Sequence, residues 1–187
     1  MDGASEAKYS LYFTSHRDGN NEIYRYNLRL GSLQRITNNP ANDSWATASP
    51  DGQKVCFETD RTGDLEIFCS DPDGKNATDL TNMLGEDGMP RFSPDGTLIA
   101  YHRREPGAYA FEIWVMNADG SNKRRLTHEN SYLGEPNWFP DGTKLVFDGD
   151  KPDRNILVIN LDGSGLTVIN DKYGEQRSPS ISGNDGR

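Results

Sequence analysis

The chain is poor in most of what a catalytic or membrane-spanning protein displays. Among 187 residues there are two cysteines and three histidines, and only 33% are apolar. No apolar run approaches the roughly 20 residues of a membrane-spanning helix. Basic residues are short as well, 20 against 29 acidic ones, for a net charge of −9. That balance excludes phosphate-backbone recognition, so no nucleic-acid partner is expected, and it disfavours anionic membranes. No Gly-x-Ser-x-Gly elbow and no phosphate-cradling glycine loop ahead of a helix is present, and no segment reads as a helix. The opening residues, Met1-Asp2-Gly3-Ala4-Ser5-Glu6-Ala7-Lys8, carry neither the basic nor the apolar region of a secretion signal, which leaves a cytoplasmic protein or a mature form as the expectation. Glycine is plentiful at 19, beside 10 prolines, which fits many short strands joined by tight turns.

Those turns repeat. Ser49-Pro50-Asp51-Gly52, Ser93-Pro94-Asp95-Gly96 and Phe139-Pro140-Asp141-Gly142 are followed by a degenerate copy, Ser182-Gly183-Asn184-Asp185-Gly186, and the aspartates are spaced by 44, 46 and 44 residues. Apolar runs led by Ile23, Ile67, Ile113 and Ile156 give a second register with spacings of 44, 46 and 43. Each unit reads as four strands. Strand a precedes the Asp-Gly turn, strand b follows it (Lys54-Val55-Cys56-Phe57), strand c is the Ile-led run, and strand d is short and polar-edged (Arg124-Arg125-Leu126-Thr127). Near-continuous apolar character in b and c fits sheets buried on both faces. Four strands every 40–50 residues predict an all-β fold, a four-bladed β-propeller of four-stranded antiparallel blades.

The turn motifs, together with Asp60-Arg61-Thr62-Gly63-Asp64-Leu65-Glu66-Ile67-Phe68, Asn117-Ala118-Asp119-Gly120-Ser121 and Arg125-Leu126-Thr127, resemble the WD40-like repeat of the TolB propeller family over roughly residues 8 to 187. The resemblance implies a protein partner in the bacterial envelope, hence a periplasmic or secreted location. It speaks for fold more than function, because the matching residues form turns and core.

The chain enters its first unit at strand b, Ser10-Leu11-Tyr12-Phe13, and ends on a strand a, Ser178-Pro179-Ser180-Ile181. One propeller domain over 1–187 is expected, with blade 1 from 8–38 plus 176–187, blade 2 from 43–82, blade 3 from 87–128 and blade 4 from 133–170. Pairing the two ends would close the ring and remove an exposed edge. The complementary ends favour a closed monomer over two half-rings joined as an eight-bladed dimer.

The a–b and c–d turns are uniform and read as structure, whereas the d–a and b–c loops differ between repeats, as binding loops on a scaffold do. The d–a loops place Asp43, Glu86, Asp87, Glu129, Glu135 and Glu175 around one channel mouth, with Trp45, Tyr132 and Tyr173 nearby. The expected ligand is a basic peptide, an amine or a cation, and the expected role a non-enzymatic scaffold for a protein or peptide. The alternatives are a lyase-like, carbohydrate-active enzyme and a fragment or engineered propeller without activity of its own. No catalytic residue, cofactor or metal is expected. His16, His102 and His128 do not form a recognisable ligand set, and the Asp-Gly turns lack the terminal glutamate of a calcium loop. If Asp60 pairs with Leu65, Cys56 faces Cys69 across strands b and c, either as a disulfide or as two buried thiols, and the reading leans to thiols. The sequons at Asn42 and Asn76 carry no weight.

Overall fold

The Asp-Gly turns form as their chemistry dictates. Asp51 Oδ1 accepts from Ser49 Oγ at 2.6 Å and from Gln53 N at 3.0 Å, and Gly52 N donates to Ser49 O at 2.8 Å. Gly52 turns at φ +70°, which an L side chain rarely adopts, and Gly96 and Gly142 repeat it at +75° and +71°. These hydrogen bonds hold the Asp51 carboxyl below its ordinary value, the Ser49 bond first. The computed structural model describes residues 9–150 and 154–169 and, beyond them, positions 179 and 181.

The described residues form fifteen strands in four sheets. Blade 1 holds β1 (Ser10–Ser15), β2 (Glu22–Asn27) and β3 (Ser32–Arg35). Blade 2 holds β4 (Asp43–Ala48), β5 (Val55–Thr59), β6 (Glu66–Ser70) and β7 (Thr78–Asp79). Blade 3 holds β8 (Glu86–Phe92), β9 (Leu98–Arg104), β10 (Glu112–Asn117) and β11 (Arg124–Arg125). Blade 4 holds β12 (Leu133–Trp138), β13 (Lys144–Asp150), β14 (Arg154–Asn160) and β15 (Thr167–Ile169). Every pairing is antiparallel between sequential strands, so the expected propeller blades are present.

Strand a starts earlier than the sequence reading placed it. Asp43, Glu86 and Asp87, read as d–a loop, are the first residues of β4 and β8. A bulge explains the discrepancy. The register shifts between Ser44 and Thr47, between Gly88 and Arg91, and between Gly134 and Asn137. Trp45, Met89 and Glu135 occupy these bulges with φ of 52°, 52° and 49°. Glycine and proline beside a bulge look like loop in sequence, yet the ladder resumes on its far side.

Three apolar clusters join neighbouring blades. Ile23 and Ile36 meet Val55, Phe57 and Phe68 between blades 1 and 2. Cys56, Ile67 and Cys69 meet Ile99, Tyr101 and Met116 between blades 2 and 3. Ala100, Ile113 and Val115 meet Leu145, Phe147, Leu157 and Ile159 between blades 3 and 4. Alternate residues of strand b therefore face opposite neighbours, as a period of two requires. Among the described residues no such cluster joins blade 4 to blade 1. Leu11 holds the position of Val55, Ile99 and Leu145, which are each 0% exposed, but is itself 53% exposed. Blade 1 has three described strands, and the expected closing segment falls outside the described residues except at Pro179 and Ile181. Pro179 O accepts from Asn137 Nδ2 at 3.3 Å, beside strand a of blade 4.

The cysteine expectation is corrected. Cys56 stands opposite Cys69, as the register reading required, but the two are joined as a disulfide and not held as thiols. Both lie inside the core between blades 2 and 3.

Candidate functional site

Of the nine residues assigned to the channel mouth, the seven that the structure describes are not brought together in one site. Asp43 is buried, with Arg61 at 2.9 Å and Asn39 Nδ2 at 2.7 Å. Asp87 is buried and ion-paired with Arg103, which also donates to Leu84 O at 2.8 Å. These two carboxylates tie strand a to the end of strand b and are not open to a ligand. Burial, opposed by Arg103, pushes the Asp87 carboxyl up to about 7. In blade 4 the same positions hold Leu133 and Gly149, an apolar solution to the same packing problem.

Trp45 and Glu135 do face a shared region. Arg91 lies 5.9 Å from the Trp45 ring centroid and interacts with Glu135, while burial holds its guanidinium below its ordinary pKa. Glu135 N donates to Met89 Sδ at 3.3 Å, linking two bulges across the blade boundary. A cavity of about 500 Å³ opens beside Trp45, Arg91 and the inner edge of β1, at Tyr12, Phe13 and Thr14. Tyr132 packs edge-on to Phe111 at 5.6 Å, and Glu129 lies part-exposed before β12. Tyr173 and Glu175 lie outside the described residues.

Deeper on the channel side, Glu58 accepts from Ser44 Oγ at 2.9 Å and from Met89 N at 3.0 Å, and burial raises its carboxyl pKa. His102, at the matching position of blade 3, stacks on Phe111 at 4.3 Å and is held neutral, its pKa lowered to about 3 by burial and then by Arg104. Both crowd Gly88, where a Cβ would collide with Glu58 Oε2 and His102 Nε2. His16 and His128 are exposed, and among the described residues no group of three or more metal-type side chains converges.

A second feature emerges on the b–c and d–a loops of blades 2 and 3. A cleft of about 240 Å³ is lined by Asp64, Glu86, Arg104 and Glu105. Glu86 pairs with Arg104 and Glu105 stands 3.5 Å from Arg125, so three acids line the cleft against one lining cation. On these same loops Leu84 is 80% exposed and Tyr109 98% exposed, with Met83 also exposed. The sequence reading named Glu86 but missed Asp64, Leu84, Arg104 and Glu105 as one group. The signal was present in the 46-residue spacing, since the extra length of blade 3 falls in the 105–110 loop.

Successive four-stranded antiparallel blades packed face to face, with variable loops at one end, are the arrangement of a propeller domain. The model of the TolB beta propeller domain matches residues 5–110 and again 77–187. The chain belongs to that family. The Agrobacterium fabrum protein Atu1656 is 34% identical over 107 residues, covering 51% of this chain and 36% of that protein. A TolB homologue of Chlorobaculum tepidum is 44% identical over 50 residues, 27% of this chain and 12% of its own. The chain thus spans about a third or less of these curated relatives. The structure of a putative TolB from Agrobacterium tumefaciens superposes with a TM-score of 0.77 at 26% identity, covering 89% of this chain and 63% of that one. TolB from Acinetobacter baumannii gives 0.76 at 24% identity over 90% of this chain and 42% of that one, a likeness of fold.

Proposed function

We propose that the chain is a non-enzymatic scaffold that binds a protein or peptide partner on its b–c/d–a loop face. The observation that carries this reading is the pairing of the acid-lined cleft with Leu84 and Tyr109, which solvent surrounds on the same loops. Exposed large apolar side chains beside a polar rim mark contact surfaces. The partner fitted by this surface is a segment with a basic side chain for Asp64 and Glu105 next to an apolar one for Leu84 and Tyr109. Trp45, Glu135 and Tyr132 lie on the remainder of the face that a longer partner would reach.

The location proposed is the bacterial periplasm or another oxidising compartment. Membership of the TolB propeller family supports it, and the Cys56–Cys69 disulfide is in keeping with it.

Fluorescence polarisation with labelled peptides tests the proposal. Peptides that place lysine or arginine beside an aromatic residue are expected to bind, and the same peptides with glutamate in the basic positions are not. Leu84→Ser with Tyr109→Ser should weaken binding by at least about tenfold, the loss typical of apolar anchors. Equal binding of basic and acidic peptides, or an indifferent double variant, overturns the reading.

A further inference from the structure

Blade 1 is the one blade whose strand b has a free inner edge among the described residues. In blades 2, 3 and 4 strand a lies innermost, and β5, β9 and β13 are each paired on both sides. β1 is paired with β2 alone. Leu28 N donates to Tyr9 O at 3.3 Å, and an antiparallel ladder repeats its bonds every second residue. Ser10, Tyr12 and Thr14 therefore turn their backbone N–H and C=O groups to the inner edge. Such an edge is a template for a further strand. Pro179 and Ile181, the described positions of the expected closing segment, lie outside any strand. The cavity of about 500 Å³ runs along Tyr12, Phe13 and Thr14 at this edge.

Blade 2 shows what this edge lacks. Arg61 stands over the Phe57 and Phe68 rings at 5.4 and 4.7 Å, and its Nε donates to Thr59 Oγ1 at 3.0 Å. Its outer nitrogen pairs at 2.9 Å with Asp43, the first residue of strand a. Arg17 is set in the same way in blade 1. It stands over the Phe13 and Tyr24 rings at 5.9 and 4.4 Å, and its Nε donates to Ser15 Oγ at 2.9 Å. Among the described residues no carboxylate pairs with this guanidinium. The acids nearest in sequence, Asp18 and Glu22, pair with Arg35 at 3.2 and 2.7 Å. Aligning Pro179 with Pro90 and Pro136 puts Gln176 where blades 2 and 3 have Asp43 and Asp87. The chain's own last segment thus has an amide at the position that calls for an acid. Leu11, the counterpart of Val55, stands uncovered farther along the same edge.

We propose that the inner edge of β1 takes an extended segment of a partner protein as the fourth strand of blade 1, with a leading aspartate or glutamate on Arg17 and an apolar residue over Leu11. Main-chain pairing with Tyr12 and Thr14 supplies affinity, and Arg17 supplies the choice of sequence. Blade 2 gives the register, in which Asp43 stands opposite Thr59 and Ala48 opposite Val55. The bulge between them brings both residues to one face, the face that Leu11 and Phe13 present in blade 1. This strand is led by an acid, whereas the loop face takes a basic segment, so either assignment can fail alone.

The probe is a capped peptide with the sequence of residues 42–49, Asn-Asp-Ser-Trp-Ala-Thr-Ala-Ser, which carries no basic residue. It is titrated into the ¹⁵N-labelled full chain. The Tyr12 and Thr14 amide resonances are expected to shift downfield and saturably, and their hydrogen exchange to slow by at least about tenfold. The same peptide with Asp43→Asn should bind at least about tenfold more weakly, because hydrogen bonds to a charged group are lost. Arg17→Gln in the protein should weaken the aspartate peptide to the level of the asparagine one and leave the asparagine peptide unchanged. Leu84→Ser with Tyr109→Ser should alter neither. Tyr12 and Thr14 amides that already exchange slowly before peptide is added show that the chain's own last segment fills the edge, and overturn the proposal. Unmoved β1 resonances, equal binding of the two peptides, or an Arg17→Gln variant that still tells them apart overturn it as well.

Discussion

Replacing Arg103 by Met should be among the most damaging single changes in the chain, and its cost should depend on pH. The substitution keeps a long side chain but removes the one cation paired with Asp87 among the described residues, and Asp87 is fully buried. Breaking a buried pair from one side costs about 3–5 kcal/mol, because the surviving charge is left uncompensated. Burial already pushes the Asp87 carboxyl from 3.8 up to about 7 against the pull of Arg103, and without Arg103 it rises further. A carboxyl whose pKa is raised in the folded state contributes stability that is complete below its unfolded pKa and lost as pH rises through the folded one. The variant should therefore lose most at pH 8 and recover much of the loss at pH 5, where Asp87 is neutral. Blade 4 supplies the control, because Leu133 and Gly149 hold these positions without charge. Asp87→Leu combined with Arg103→Gly should recover at least half of the single-variant loss, since nothing charged remains buried. Urea unfolding at the two pH values measures all of this. A loss below about 1 kcal/mol at pH 8, or a loss equal at both pH values, would refute the argument.

Further predictions address other parts of the blades. Gly88→Ala should cost about 1–3 kcal/mol by thermal unfolding, because the new methyl group meets Glu58 and His102; Gly134→Ala, which meets the movable Tyr132 ring, should cost less. Reducing Cys56–Cys69, which spans 13 residues, should lower stability by up to about 3 kcal/mol, read as a fall in Tm with reductant that a Cys56→Ala, Cys69→Ala variant does not show. Val55→Ala should cost about 2 kcal/mol and Leu11→Ala under about 1, since only the first is buried; equal losses would mean that blade 1 is covered by blade 4 in a closed ring. Truncation after Asp171 tests that closure directly: an unchanged Tm would show that residues 178–181 do not complete blade 1.

The fold was legible in the sequence because its landmarks are chemically forced. A turn at φ near +70° calls for glycine, and an aspartate that caps it calls for serine two residues before, so Ser49, Asp51 and Gly52 announce themselves wherever they recur. The register was legible too, since pairing of the b–c hairpin put Cys56 opposite Cys69. Their oxidation was not, because opposition is compatible with either state. The acids of the expected mouth were misplaced for a related reason. Asp43 meets an arginine 18 residues away in the turn after the neighbouring strand and Asp87 one 16 residues away on that strand, and sequence shows a carboxylate but not whether its partner is inside hydrogen-bonding reach. Bulges at Trp45, Met89 and Glu135 compounded the error by disguising the start of strand a as loop.

Repetition also gives each departure a meaning that an isolated domain would not. Four blades solve one packing problem with one set of positions, so a blade that spends polar groups where its siblings use phenylalanine or leucine is answering another demand. Glu22, Glu66 and Glu112 are buried in three blades alike, with Thr37, Thr81 and Thr127 Oγ1 each accepting from the backbone at 2.8–2.9 Å, so their burial is structural. Tyr101, Trp114 and the longer 105–110 loop set blade 3 apart from blades 2 and 4, and all lie on blade 3 where it meets blade 2, whereas Arg103 repeats the part of Arg61, which pairs with the strand-a aspartate and stands over the strand-c ring. The acid-lined cleft and the exposed Leu84 and Tyr109 fall at that same boundary. Shared packing cannot account for this concentration, because the other two blade boundaries are formed without it. The partner surface proposed above falls at this junction of blades 2 and 3, and that junction is where a partner should be sought first.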